Sequence, residues 1–468
     1  AHVPLPMGAH IYAPDVLRPV EAANPGSEPG VRGATGHDDF PTHPNFLEEA
    51  ERLSADEELR DGSLDEKGIH PAVGEAFQAE FDKQGVKPNE LQSLEDLAKF
   101  PFTIKNDLRD AYPFNMFAVP REQISRLHAS SGTTGKPTVV GYTEGDINNW
   151  ADLMARSISC AGGRPGDIVH NAFGYGLFTG GLGAHYGAER LKCTVTPMSG
   201  GNTEKQIAVM SDFGSHVLFS TPSYALNIAE VARSEGVDLA AGPLRIGLFG
   251  AEPWSDEMRV ELEKQLGLKA MDIYGLSEIM GPGVACECPE QNGLHGWEDH
   301  FLFEIVDPET LQPLPYGEVG ELVITTLTKE ALPIIRYRTH DITRLTDEPC
   351  VCGRSHARIL RVAGRNDDMM IIRGVNVYPS QIESVLVGIK GVAPHYQLVI
   401  KREGVLDTLL VDIEAEPDFS GDRTALGAEV KHHIKSLIGV TCTVNVLGTG
   451  EVPRSQGKAV RVKDLRKK

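Results

Sequence analysis

From Gln123 onward, short apolar runs alternate with longer amphipathic stretches. QISRLHAS and TVVGYT alternate or run β-branched, which predicts two strands flanking HASSGTTGKPT at residues 128–138. GDINNWADLMARSISCAG predicts a helix. DIVHNAF, CTVTPM, HVLFST, LRIGLFG and KAMDIYG then read as strands. A Gly-rich helical stretch, TEKQIAVMSDF, PSYALNIAEVARSEG and SDEMRVELEKQLG read as the helices between them. The pattern predicts an α/β body with parallel strands, each buried on two faces.

The pattern changes twice more. Residues 300–362 switch to short strands and turns (FEIVDPET, GELVITTL, IIRYRTHDITRL), which predicts a β subdomain. Residues 364–468 carry strand, helix, two strands, helix and strand, which predicts a small α+β domain. The expected organisation is an irregular arm at 1–45, a large domain at 46–363 and a small C-terminal domain at 364–468. Residues 46–112 look helical in pieces, with SLEDLAKF the clearest amphipathic turn set. No internal repeat is visible.

Composition narrows the function classes. At 468 residues the chain is too long for one ordinary core. Net charge is −21, which argues against general nucleic-acid binding. From Gly364 to Lys468, 15 Lys+Arg face 13 Asp+Glu, a net of +2, so the rest carries −23. No run of eighteen apolar residues suggests a membrane span. The first residues, AHVPLPMGAHIYAPDVL, do not read as a signal peptide, and seven cysteines, an odd number, suit a reducing cytoplasm.

The loop HASSGTTGKPT has the chemistry of a phosphate cradle: glycine-exposed N–H groups, hydroxyls and a lysine. It is not the P-loop of nucleotide hydrolases. Gly132 and Gly135 stand three apart, Pro137 occupies the position of the Mg²⁺-binding hydroxyl, and a strand follows instead of a helix. GYGLFTGG likewise misses the dinucleotide fingerprint by one residue.

SSGTTGKPT, YGLSE (274–278), YRTHD (337–341), GRNDDMMIIRGVNVYPSQIE (364–383) and PRSQGKAVRV (453–462) occur in an order and spacing that resemble the adenylate-forming acyl-CoA ligases. GYGLFTGGLGAHYGAE, TPSYAL, FGAEPWS, HFLFEIVDPET and TTLTKEALPIIRYRT resemble, within that superfamily, the phenylacetate–CoA ligase family. The likeness covers about residues 80–468; the first 75 residues depart from it. It implies an α/β fold with a mobile small C-terminal domain. It also implies two half-reactions. An aryl carboxylate attacks the α-phosphorus of ATP, and the thiol of coenzyme A then displaces AMP.

The resemblance carries roles onto matching residues. Ser130, Ser131, Gly132, Thr133, Thr134, Gly135 and Lys136 would hold the β- and γ-phosphates, and Glu278 would meet Mg²⁺. Asp341 would accept from the ribose hydroxyls, helped by Arg365; a salt bridge to Arg338 is the ordinary alternative. Gly250, Ala251, Glu252, Pro253 and Tyr274 are assigned to adenine. Lys458 would bridge the substrate carboxylate and the α-phosphate, and Asp367 would be the hinge. Tyr175, Phe178 and Ile279 are candidates for the acyl pocket, with core packing the alternative for each. A homodimer is allowed by the resemblance.

Cysteine spacing adds a separate signal. Cys286-x-Cys288, His295 and Cys350-x-Cys352 supply thiols and an imidazole in a chain otherwise sparse in cysteine. Cys288, His295, Cys350 and Cys352 form the best set for a structural Zn²⁺; free cysteines in β-turns are the alternative. The leading expectation is an AMP-forming aryl-acid CoA ligase, foremost for phenylacetate. Other readings are a benzoate-, aminobenzoate- or hydroxycinnamate-like acid, an adenylating enzyme that loads a carrier protein, and a non-catalytic nucleotide-binding protein.

Overall fold

A computed structural model describes residues 82–83, 85–87, 95–130, 137–365, 368–373, 375–403, 406–454 and 459–466. The expected N-terminal arm lies outside the described residues.

The elements follow the patterning closely. A short helix α1 (Lys105–Asp110) precedes the hairpin β1 (Arg126–Ala129) and β2 (Val139–Tyr142). Next come α2 (Glu144–Cys160), β3 (Ile168–Asn171), α3 (Thr179–Arg190), β4 (Thr194–Pro197), α4 (Thr203–Phe213), β5 (Val217–Ser220) and α5 (Pro222–Ser234). Then follow β6 (Ile246–Gly250), α6 (Asp256–Leu266), β7 (Lys269–Leu276), β8 (Gly281–Glu287) and β9 (Leu294–Gly296). A strand-rich stretch holds β10 (Phe301–Val306), β11 (Pro313–Leu314), β12 (Gly320–Thr326), β13 (Tyr337–Thr343), β14 (Leu345–Thr346), β15 (Arg358–Ile359) and β16 (Gly364–Arg365). The C-terminal part comprises β17 (Met370–Ile372), β18 (Val375–Val377), α7 (Pro379–Val387), β19 (Val392–Glu403), β20 (Leu406–Ala415), α8 (Arg423–Ile438), β21 (Cys442–Leu447) and β22 (Val462–Asp464).

Strands β4-β3-β5-β6-β7 are parallel neighbours in one nine-stranded sheet. β5 and β6 are buried at every residue, as their unbroken apolar runs require. The sheet is not parallel throughout. It continues through β8, β9, β15 and β14 as an antiparallel half. The expected β subdomain at 300–362 is present, with narrower bounds. Strands β10–β13 and β16 form a separate five-stranded sheet, but β14 and β15 close the edge of the large one. Two-residue strands carry no period to read. Buried Arg358 places β15, donating to the carbonyls of Asn292, just before β9, and Glu348, just after β14.

Helix α2 shows how one cap can also bind layers together. Thr143 caps the helix by accepting from Asp146 N, and the Asp146 carboxylate accepts from Thr143 N, each at 3.0 Å. The same fully buried carboxylate accepts from the backbone N–H of Glu330 (2.7 Å) and Ala331 (2.9 Å). It therefore ties the start of α2 to the segment after β12.

The C-terminal part has its own core, built from Ile372, Ile382, Leu398, Val411 and Val430 among others. Its four-stranded sheet, ordered β21-β20-β19-β22, is covered by α7 and α8. Among the described residues, no apolar cluster joins this core to those of the large domain. No described helix is long and apolar enough to cross a membrane.

Asp146→Ala removes the carboxylate half of the capping box and leaves the N–H groups of Thr143, Glu330 and Ala331 unpaired. The expected cost is about 2–4 kcal/mol, read as a lower urea midpoint for the large domain. An unchanged midpoint contradicts the assigned role.

Candidate active site

Parallel strands release their chains from one edge, and ligands collect where the strand order reverses. Here the reversal lies between β3 and β5. The segments leaving β3, β5, β6 and β7 carry Tyr175 and Phe178, Ser223, Gly250–Pro253, and Tyr274–Ile279 respectively. Most of the described candidates for the nucleotide and acyl sites thus share one edge.

Glu278 sits in the turn between β7 and β8 and is 5% exposed. Glycine permits this turn. A side chain at Gly275 would collide with the Gly281 carbonyl, and Gly281 has φ +110°. Ser277 is fixed by a 3.1 Å hydrogen bond with Thr179 at the start of α3. Glu278 Oε1 lies 3.1 Å from Lys105 Nζ on α1 and has no aligned hydrogen-bond donor among the described residues. Lys105 is held there by its neighbour Thr103, which is bridged to β13. Thr103 N donates to Arg336 O, Arg338 N donates to Thr103 O, and Thr103 Oγ1 donates to Ile335 O.

Lys105 is the residue that patterning missed. The stretch FTIKNDLRD was read only for its helical period, although charge dense beside Pro and Phe was a usable signal.

Tyr274, Asp341 and Arg365 come together. The Tyr274 hydroxyl donates to Asp341 Oδ2 at 2.5 Å, and Arg365 Nη1 donates to Oδ1 at 3.3 Å. Burial, and then the Asp341 charge, push the Tyr274 hydroxyl well above its usual range, so it remains a donor. The expected alternative for Asp341 fails, because Arg338 pairs instead with fully buried Glu321 at 2.7 Å. Asp341 and Arg365 face each other across the β13–β16 ladder.

Gly250 ends β6 with its Cα packed against the Ile273 carbonyl, where a side chain would not fit. Ala251 follows with φ +71°, a costly conformation for a non-glycine residue and common at ligand sites. Pro253 is exposed. The Glu252 carboxylate accepts from Ser223 N (2.8 Å) and from Ala459 N (2.7 Å).

The hairpin arms meet at the mouth of the opening loop. Ser130 N donates to Thr138 O at 2.9 Å, and Thr138 N donates to Ser130 Oγ at 3.3 Å. Ser131, Gly132, Thr133, Thr134, Gly135 and Lys136 lie outside the described residues, as do Asp367 and Lys458. The Tyr175 hydroxyl accepts from Asn171 Nδ2 at 2.8 Å, and burial pushes it up to about 12. Phe178 is partly buried against Phe173, whereas Ile279 is fully buried in the main core.

On the antiparallel side, Cys288, His295, Cys350 and Cys352 bring their ligand atoms within 4.8 Å of one another. Cys286 points elsewhere, donating to Ser157 O.

A strand-end edge beside the buried carboxylates Glu278 and Asp341, with a C-terminal part that has its own core, fits an AMP-binding enzyme. The AMP-binding enzyme family matches residues 65–327, and the AMP-binding enzyme C-terminal domain matches 374–466. The chain is 55% identical over 396 residues to the phenylacetate-coenzyme A ligase of Escherichia coli, covering 83% of this chain and 90% of that protein. It is 53% identical over 405 residues to the enzyme of that name from Thermus thermophilus, covering 83% and 91%. The chain belongs to the phenylacetate–CoA ligase family. Among solved structures, 2-hydroxyisobutyryl-CoA ligase in a postadenylation state matches with TM-score 0.80, 28% identity, and coverage of 90% and 88%. The same enzyme in a thioesterification state matches with TM-score 0.63 at 30% identity, covering 90% and 89%.

Asp341→Asn removes the charge that receives Tyr274 and Arg365. ATP affinity is expected to fall about 10- to 100-fold by calorimetry, while Tyr274→Phe costs about tenfold or less. Equal ATP affinity in Asp341→Asn would exclude a ribose role.

Proposed function

We propose that this protein joins phenylacetate to coenzyme A at the expense of ATP. The carrying observation is the Tyr274–Asp341–Arg365 cluster, with Tyr274 on the β7 end that also leads to Glu278, in a chain 52–55% identical to phenylacetate-coenzyme A ligases. A phenylacetate carboxylate oxygen attacks the α-phosphorus, and the bond from that phosphorus to the β-bridging oxygen breaks. Pyrophosphate leaves. The sulfur of coenzyme A then attacks the acyl carbon, the bond to AMP breaks, and the thiol proton is released.

Asp341 and Arg365 hold the ribose, with Tyr274 fixing the carboxylate's orientation. The 251–253 segment lines adenine. To the 130–136 loop we assign the departing pyrophosphate, and to Lys458 the carboxylate and the α-phosphate. Glu278 fits a hard cation: it is a buried carboxylate with one oxygen short of aligned donors. Mg²⁺ bound there supplies charge neutralisation for the phosphates. Tyr175 and Phe178 line the aryl end.

The test is pyrophosphate exchange over a panel of acids, followed by thioester formation with free coenzyme A. Exchange strongest with phenylacetate, and phenylacetyl-CoA as product, are expected. Release of ADP, or preference for another acid, overturns the assignment. Lys458→Ala should abolish exchange but spare thioester formation from supplied phenylacetyl-adenylate.

The cysteine cluster is proposed to hold a structural zinc ion. Zn–S bonds of about 2.3 Å and Zn–N bonds of about 2.05 Å in a tetrahedron require S···S near about 3.8 Å and S···N near about 3.6 Å. Cys288 Sγ lies 3.8 Å from Cys350 Sγ, and Cys352 Sγ lies 3.4 Å from His295 Nε2. The site would fasten the turn at 350–353 to the β8–β9 hairpin. Purified protein should carry about one zinc per chain by elemental analysis. Cys350→Ser together with His295→Ala should lose it and melt earlier. Metal-free protein with unchanged melting would refute the site.

A further inference from the structure

The small domain meets the large one through charge. Glu230, near the end of α5, faces two groups from the C-terminal part. Its carboxylate accepts from Arg454 Nη2 at 2.9 Å and Nε at 3.1 Å, and lies 3.0 Å from His395 Nε2 on β19. Burial alone would raise the Glu230 carboxyl, but the hydrogen bonds from His395 and Arg454 outweigh it and hold it at about 2. It is therefore ionised at any working pH.

Further contacts follow along the same stretch. Ala459 N donates to Glu252, and Arg461 Nη2 donates to Ser223 Oγ at 3.0 Å. Ser255 N donates to Glu383 Oε1 on α7 at 3.1 Å. The partner sides of these contacts come from a region of net +2 and a remainder of net −23.

One feature makes the Glu230 contact reversible. Arg454 is also bound within its own domain, to fully buried Glu414 at 2.7 and 2.9 Å. Separation from Glu230 leaves the guanidinium paired, so opening does not strand a buried cation. The present arrangement resembles the postadenylation state of 2-hydroxyisobutyryl-CoA ligase more than its thioesterification state, with TM-scores of 0.80 and 0.63.

We infer that Glu230 is a positioning residue that latches the small domain, through Arg454 and His395, in the arrangement that serves adenylation. The inference rests on the two-step reaction proposed above. Glu230 is assigned no contact with the reacting atoms; it acts through Arg454 and His395. The latch favours the first half-reaction and must open for the second.

The test measures the half-reactions separately. Glu230→Gln keeps the shape and removes the charge. Phenylacetate-dependent pyrophosphate exchange should fall about tenfold, as for a partly buried charge pair losing one partner. Thioester formation from supplied phenylacetyl-adenylate and coenzyme A should hold or rise. His395→Gln should act in the same direction, and the double variant should lose little more than Glu230→Gln alone, because the two share one interaction. Equal loss in both half-reactions, no change in either, or fully additive effects would each overturn the latch. Wild-type protein that fails to exchange pyrophosphate with phenylacetate would instead overturn the proposed reaction.

Discussion

The parallel run of β3 to β7 constrains everything else. Parallel strands must return by helices across the sheet, so every strand end on one side is free to carry a loop. Glycine-limited backbone then sets how those loops leave. The Gly275–Gly281 turn aims Glu278, and the left-handed Ala251 aims Glu252. A buried carboxylate needs a partner. Lys105 is such a partner for Glu278, and its strand-like anchorage through Thr103 explains why α1, far back in the chain, belongs to the site.

Much of this was legible in sequence because the signals were periodic. The strands and helices from 126 to 276 lie where apolar runs and amphipathic stretches placed them, as do those from 370 to 447 apart from β18, a three-residue strand that was not expected. Tyr274, Asp341 and Arg365 were each assigned near the nucleotide, and the structure brings them within hydrogen-bond reach of one another. Partner choice was less legible. Arg338 is the nearer of the two to Asp341 in sequence, but strand alternation sends it toward Glu321, while the β13–β16 register brings Arg365 alongside from 24 residues away. β14 and β15 were misplaced for a related reason. Two residues cannot show a period, and their sheet is decided by the long-range demands of Arg358.

The convergence of Cys288, His295, Cys350 and Cys352 followed from composition more than pattern. Thiols in a chain with few of them stand out, and their pairing across 62 residues needs only the β9–β15 contact. Under the zinc assignment proposed above, metal–thiolate bonds would hold this corner throughout catalysis.

The contact between domains obeys the opposite requirement. A domain that must leave and return cannot bury a large apolar face, because exposing that face would cost more than a catalytic cycle can tolerate. The described structure keeps the small domain's core separate and makes the contact from carboxylates, guanidinium groups and backbone N–H groups. Each of these would regain water on the proposed opening, so the net cost of separation would be small although the gross interactions are strong. Glu252 is the point where this logic meets the site. One of its oxygens receives Ser223 within the large domain, and the other receives Ala459 from the small one. The segment assigned to adenine is thus completed only when the small domain is seated, which links nucleotide contacts to the arrangement in which the proposed Lys458 chemistry can occur.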